Sequence, residues 1–390
     1  MTTEDDASEV CVNAYRRALI LDPAHPHGWN NLGITHKRKN ELAPGIDCFR
    51  RALAIHPRND QALSNLGRNL LLTEQLVEGW ECLEAPWRSQ GLQPRSGSFS
   101  LPVWDGSNLR GRRLLLWSEE KIGEEIMFST ILDEIRKRSS LVTLLCNPRI
   151  AGLLSRALPL IDVKGWTGGV PTALVLEDYA ACYPLEFVGR FVLRSFQDFP
   201  VPTPLLISDV GDGSIGHARV GRRPRVGLHW RSTNPLVGDY KSIPLRDWGP
   251  VLSVSGIDFV SLQYGSVGGE IAEAQELHGA APTALVGIDQ LVDMEAFTDV
   301  VSTLDLIISI SGTSAHVAGG LGRPTWLLLP CGPGLSWFWF EKRNTSPWYV
   351  NCVLYRQNAV SIWNDVIEKV GRDLEIWHQE LYHGEFDLDH

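Results

Sequence analysis

The chain has 390 residues, 44% hydrophobic and 21% charged, a globular mix that excludes a disordered or fibrous protein and implies roughly two to three domains. A net charge of −10 argues against a nucleic-acid partner, because phosphate backbones demand basic surfaces. Seven cysteines, none in a C-x-x-C pair, set aside a disulfide framework and a zinc site and suit a reducing compartment. The chain opens on acidic residues without the basic and apolar regions of a signal peptide. No apolar run is long enough to span a bilayer, so the expected location is cytoplasmic.

A repeat stands at the front. Residues 18–23 (A-L-I-L-D-P) return as residues 52–57 (A-L-A-I-H-P), and Asn31, Leu32 and Gly33 return as Asn65, Leu66 and Gly67, each 34 positions on. That is the tetratricopeptide (TPR) period, in which each unit is a helical hairpin. The central unit carries Trp29, Leu32, Gly33, Gly45, Phe49, Ala52 and Pro57. Gly33 and Ala52 let two helices approach, while Trp29 and Phe49 fill the gap to the neighbouring unit. The next unit keeps Leu63, Leu66, Gly67, Gly79 and Leu83 and loses the pattern at Pro86; the preceding one keeps Tyr15, Ala18 and Pro23. A stable stack needs about three units. The array over residues 1–90 holds fewer, so it either leans on the domain that follows or belongs to a longer array. A peptide-binding groove and a cap or spacer are both open as its role.

Breakers between Trp80 and Pro102, among them Gly91, Pro94 and Gly97, mark a connector, set at residues 91–110. Strand–helix alternation then begins. Residues 114–117 read as a buried strand, 124–138 as a helix and 142–146 as a second strand, with short strands near Asp162 and Ala180, giving a parallel α/β domain over 111–210. Four glycines and few large apolar residues make 211–223 a linker. A second alternating unit fills 224–390, with strands at 225–230, 258–262, 306–310, 325–329 and 352–355 and a helix from about Ala315. Ligands of open parallel sheets bind beyond the carboxyl ends of the strands, so the cleft between the two units is the default site. Trp326, Trp337, Trp339 and Trp348 are read as packing before a sugar-stacking surface.

Motifs recur in order along this frame. They are W-D-G at Trp104, Asp105 and Gly106; L-L-W-S-E-E-K-I-G-E-E-I-M-F at 115–128; V-G-L-H-W at 226–230; K-S-I-P-L at 241–245; and S-L-Q at 261–263. D-L-I-I-S-I-S-G-T-S-A-H follows at 305–316, continuing through Gly322, Arg323 and Pro324, and S-P-W-Y and Y-R-Q close the set at 346–349 and 355–357. Together they resemble bacterial tetratricopeptide-repeat proteins whose C-terminal half is like a glycosyltransferase-B (GT-B) enzyme. That half is related in pattern to the lipopolysaccharide heptosyltransferases and, more remotely, to the O-linked N-acetylglucosamine transferases. The resemblance covers nearly the whole chain. It implies an α plus α/β fold, with N-terminal TPR hairpins followed by two Rossmann-like α/β domains in a GT-B arrangement, acceptor-side first and nucleotide-sugar-side second. It also implies a glycosyltransferase that moves a sugar from a nucleotide sugar to a protein, flagellin included, or to a glycan, inverting and metal-independent, with no cofactor. A peptide acceptor would enter by the TPR groove. Two positions depart from the pattern: Glu124 and Ser311 stand where the family usually and often, respectively, has Asp.

Transfer requires a base for the acceptor and stabilisation of the departing diphosphate. Glu124, with Glu125 behind it, is the candidate base. Ser311, Gly312, Thr313 and Ser314 lie between a strand and a helix, where free amides cradle phosphate; His316 follows one turn in. Arg231 and Lys241 are candidate cations for the diphosphate, and Gln263 is placed at the nucleotide. There is no P-loop and no zinc spacing, so no metal ligands are assigned. Asp387 and Asp389 are read as part of an acidic tail. The alternative reading is a catalytically inactive GT-B-like TPR scaffold that mediates protein–protein interaction.

Overall fold

The computed structural model describes residues 4–94, 99–139, 141–169, 174–208, 210 and 222–383. Most of the expected linker and the Asp387–Asp389 tail lie outside the described residues.

Five helices come first: α1 (Glu4–Leu21), α2 (Pro26–Arg38), α3 (Leu42–Ile55), α4 (Asp60–Leu72) and α5 (Leu76–Ser89), each packed on the next. Pro26 takes the first position of α2, where no amide is needed. Asn59 caps α4, its carboxamide oxygen accepting from the Ala62 amide at 3.0 Å. Two glycines set the close approach. A Cβ at Gly33 would stand 2.6 Å from the Phe49 ring, and one at Gly67 would stand 2.5 Å from the Leu83 backbone nitrogen.

Helix α5 continues through Pro86 to Ser89, so the stretch from Trp80 read among the connector's breakers is helical up to the connector set at 91–110. An interior proline costs about 3 kcal/mol, and tertiary anchoring outweighs it here. The Trp80 indole donates to the Leu193 carbonyl at 3.2 Å. Glu84, fully buried, meets Arg88, Arg190 and the Tyr183 hydroxyl, the last at 2.6 Å.

Two parallel sheets follow. The first holds β1 (Arg113–Trp117), β2 (Leu141–Cys146), β3 (Asp162–Gly165) and β4 (Tyr179–Pro184) in the order β3-β2-β1-β4. The second holds β5 (Arg225–His229), β6 (Asp258–Ser261), β7 (Leu306–Ile310), β8 (Thr325–Leu329) and β9 (Cys352–Arg356) in the order β6-β5-β7-β8-β9. Apolar runs such as R-L-L-L-W and T-W-L-L-L suit strands covered on both faces. Between the strands of the first sheet and after it run α6 (Ile122–Ser129), α7 (Leu132–Arg136), α8 (Pro148–Ala157) and α9 (Gly189–Val192). The second carries α10 (Gly238–Lys241), α11 (Gly249–Leu252), α12 (Gly268–His278), α13 (Met294–Ser302), α14 (Thr313–Gly320) and α15 (Asn364–His383). The single helix expected over 124–138 is thus two. The Ser129 and Thr130 hydroxyls donate back to the Glu125 and Met127 carbonyls, at 2.7 and 2.6 Å, and the chain restarts at Leu132.

One buried cluster joins all three parts, with Leu71 and Trp80 from the helices, Leu114 and Ile126 from the first sheet unit, and Ile307 and Trp339 from the second. Helix α6 packs on α14 and α8 on α13, and Arg156 pairs with Glu295 across that seam. The late tryptophans pack. Trp337 sets its edge on Trp80, ring centres 5.1 Å apart, and Trp348 donates to the Phe338 carbonyl at 2.9 Å. The segment around them ties the helices to the second sheet unit. The Gly332 amide donates to Asn40 at 3.2 Å, the Glu341 amide to the Leu72 carbonyl at 2.9 Å, and Arg343 pairs with Glu74 at 3.1 Å. Among the described residues, no helix is long and apolar enough to cross a membrane.

Candidate functional site

The carboxyl ends of β1, β5, β6 and β7 converge on a cavity of about 270 Å³. Lys121 reaches it from the turn after β1, Gly123 and Glu124 from the first turn of α6, His229 from the last position of β5, Tyr264 from the loop after β6, Ser311 and Gly312 from the loop after β7, and Thr313 from the start of α14. Lys241 comes from α10 and His316 from the first turn of α14.

The β7 loop leaves amides free. Gly312 precedes α14 in extended backbone, and among the described residues no side chain caps the helix. Unpaired first-turn amides and the helix dipole favour an anion. Neighbouring hydroxyls are already engaged: Ser311 accepts from the Trp339 indole at 2.9 Å, and Ser314 turns to the Leu262 carbonyl at 3.5 Å. Lys241, like Lys121, lines the same cavity. Burial lowers its pKa to about 8; nearby Lys121 lowers it further and Glu124 opposes.

Glu124 occupies the opposite polarity. Burial pushes its carboxyl up to about 7, the neighbouring Glu120 charge adds, and Lys121 and Lys241 pull the other way. Glu125 is almost fully buried and does not line the cavity. Its carboxylate accepts from the Asn147 amide at 3.0 Å, and burial likewise raises its pKa to about 7. His316 bonds the Tyr349 hydroxyl through Nδ1 at 2.8 Å and stacks on Trp339, ring centres 5.2 Å apart. Burial first, then Lys241, lowers its pKa to about 3, so the ring is neutral.

The remaining sequence candidates are structural neighbours of the cavity. Arg231 pairs with Glu270 at 3.1 Å, and Gln263 accepts from the Trp230 and Arg231 amides at 3.2 and 2.8 Å, tying β5 to the loop after β6. Neither lines the cavity. Sequence reasoning missed His229, Tyr264, Lys121 and Phe338, all of which do. His229 carried a signal, since it ends a parallel strand at its carboxyl edge; the others are brought in by loops.

No family model matches the chain. It is 28% identical over 315 residues to Protein FlbA of Caulobacter vibrioides, covering 76% of this chain and 52% of that protein, so the chain spans about half the length of this relative. Among solved structures, the glycosyl transferase family 9 protein of Veillonella parvula is 12% identical with a TM-score of 0.45, covering 71% of this chain and 100% of that one. A mutant of the Thermobaculum terrenum O-GlcNAc transferase is 14% identical with a TM-score of 0.36, covering 98% and 93%. The Escherichia coli glycosyltransferase TibC, 13% identical with a TM-score of 0.42 over 71% of this chain and 78% of that one, is described as iron-containing. On that finding the expectation of no cofactor and no metal is withdrawn. The side chains of this chain offer no fit for an iron site among the described residues, where no three His, Cys, Asp or Glu groups converge to hold a metal ion.

Proposed function

We propose that the chain is a glycosyltransferase that moves a sugar from a nucleotide-sugar donor to a protein or glycan acceptor, flagellin being one such acceptor. In this reading residues 1–90 are TPR hairpins that present the acceptor. Residues 111–210 and 224–390 are the acceptor-side and donor-side domains of a GT-B arrangement. The observation that carries the proposal is one cavity of about 270 Å³ lined by Glu124 from the first unit and by Lys241 and the start of α14 from the second. That volume is just under the roughly 300–1,000 Å³ of a typical ligand pocket.

The step follows from the placement. The acceptor oxygen gives its proton to Glu124 and attacks the anomeric carbon from the face opposite the diphosphate, inverting it. The bond from that carbon to the phosphate oxygen breaks, and its electron pair leaves with the diphosphate. The Gly312 and Thr313 amides, Lys241 and the dipole of α14 balance the new charge. A carboxyl near pH 7 is matched to the work of a base at neutral pH. Glu125 braces the turn behind Glu124. The seven cysteines are all free, which suits a cytoplasmic home, where donor nucleotides are met.

Calorimetry with UDP, GDP, ADP, CMP and their sugars tests this, on wild type and a Lys241→Ala variant. A ligand at 100 times its Kd adds about 2.7 kcal/mol of stability. One nucleotide is expected to stabilise the wild type and to stabilise the variant less. Glu124→Gln should keep donor binding and lose transfer roughly 100- to 10,000-fold. A folded wild type that binds no nucleotide leaves the inactive scaffold as the better account.

A further inference from the structure

His229 has no part in the scheme above, yet its surroundings are specific. The ring is 2% exposed and still lines the cavity. Its Nδ1 lies 3.2 Å from the Ser309 hydroxyl oxygen, and that hydroxyl gives its own proton to the Ile310 carbonyl at 2.7 Å. The hydrogen between His229 and Ser309 therefore belongs to Nδ1, and Nε2 carries a bare lone pair. Nε2 is itself enclosed, and among the described residues no hydrogen-bond partner meets it. The ring is seated tightly. A Cβ at Gly312 would fall 2.6 Å from its Cε1, and Tyr264 stands on it at 5.9 Å between ring centres. Burial first lowers its pKa to about 4, opposed by a backbone hydrogen bond with Arg231 and helped by the Lys241 and Arg231 charges, so the ring stays neutral.

A buried acceptor without a partner is costly to keep, and a ligand that supplies the partner recovers the cost. A phosphate oxygen cannot do so, since it too is an acceptor. A hydroxyl can. We infer that His229 accepts, through Nε2, a hydrogen bond from a hydroxyl of the bound donor, either on the ribose or on the transferred sugar, and so sets which donors bind. The inference rests on the donor reading above. Ser309 is the positioning residue that holds the tautomer.

The test compares matched ligands on the full chain by calorimetry. In the ribose arm, ADP, UDP, GDP and CDP each stand beside their 2′-deoxy and 3′-deoxy forms. In the sugar arm, the nucleotide that binds is offered with glucose and with singly deoxygenated glucose. In one arm, wild type should prefer the hydroxylated ligand by roughly 5- to 150-fold, the cost of one unpaired buried group. His229→Phe should bring that ratio to about one. If His229→Phe does not fold, Ser309→Ala, which lies outside the cavity, should narrow the same ratio by freeing Nδ1. Equal affinities in both arms for wild type, or an undiminished ratio in the folded variant, overturn the inference. Binding of no nucleotide at all to folded wild type overturns instead the donor reading on which it stands.

Discussion

Gly123→Ala perturbs the seam between the two sheet units at its tightest point. A Cβ there would stand 2.4 Å from Cδ2 of His316 and 3.0 Å from Cγ, so one of the two must move. His316 is poorly placed to yield. It is 4% exposed, bonded to Tyr349 at 2.8 Å and stacked on Trp339. Helix α6 is no freer, because Ile126 approaches α14 at Gly320, whose Cβ would lie 3.2 Å from it. Overpacking of this kind costs about 1–3 kcal/mol. It should also tilt His316 out of the cavity, so the loss should appear both in urea denaturation and in donor affinity. Gly269→Ala is the control. That position lies inside α12 with open space around its Cβ, and alanine there should be neutral or stabilising by up to about 1 kcal/mol. A Gly123→Ala protein that matched wild type in both measurements would refute the tight packing of α6 on α14 over the site.

Three further outcomes are expected. Glu84→Ala leaves Arg190, Arg88 and Tyr183 facing an emptied pocket and should lose about 3–5 kcal/mol in chemical denaturation; a loss under about 1 kcal/mol would contradict the buried network. Gly67→Ala meets backbone, not a movable side chain, at 2.5 Å, so α4 and α5 must part, at about 1–3 kcal/mol by the same assay. Transfer should depend on pH through two groups. Glu124 acts as its carboxylate and sits near 7, so the rate should rise about tenfold from pH 6 to 8, while Lys241 acts as its cation and sits near 8, so donor affinity should fall as pH climbs past 8. Single-turnover rates with Glu124→Gln should lose the rising limb, and Lys241→Arg should remove the falling one.

Much of the frame was legible because it rests on local periodicity. The 34-residue offset marks the hairpins, and the apolar runs mark β1, β5, β7 and β8 close to their observed ends. What failed depended on distant partners. Nothing near Pro86 in the chain tells that Glu84 will be clamped by Arg190 from α9, so the breakers after Trp80 read as connector where a helix runs to Ser89. The site divided the same way. The loop at Ser311, Gly312 and Thr313 and the acid at Glu124 were readable from strand–loop–helix pattern. Which of two adjacent acids faces the cavity depends on Asn147, 22 residues on, whose amide holds Glu125. Arg231 and Gln263 were read as ligand contacts from their residue types and motifs; in the fold Arg231 meets Glu270 of α12, and Gln263 meets the backbone just after β5.

The most direct measurement is a crystal structure of the full chain with the nucleoside diphosphate that calorimetry selects. The account expects the diphosphate on the Gly312 and Thr313 amides with Lys241 beside it, and Glu124 facing the end to which the sugar is joined. A nucleotide bound elsewhere, or one whose phosphates point away from the start of α14, would contradict it.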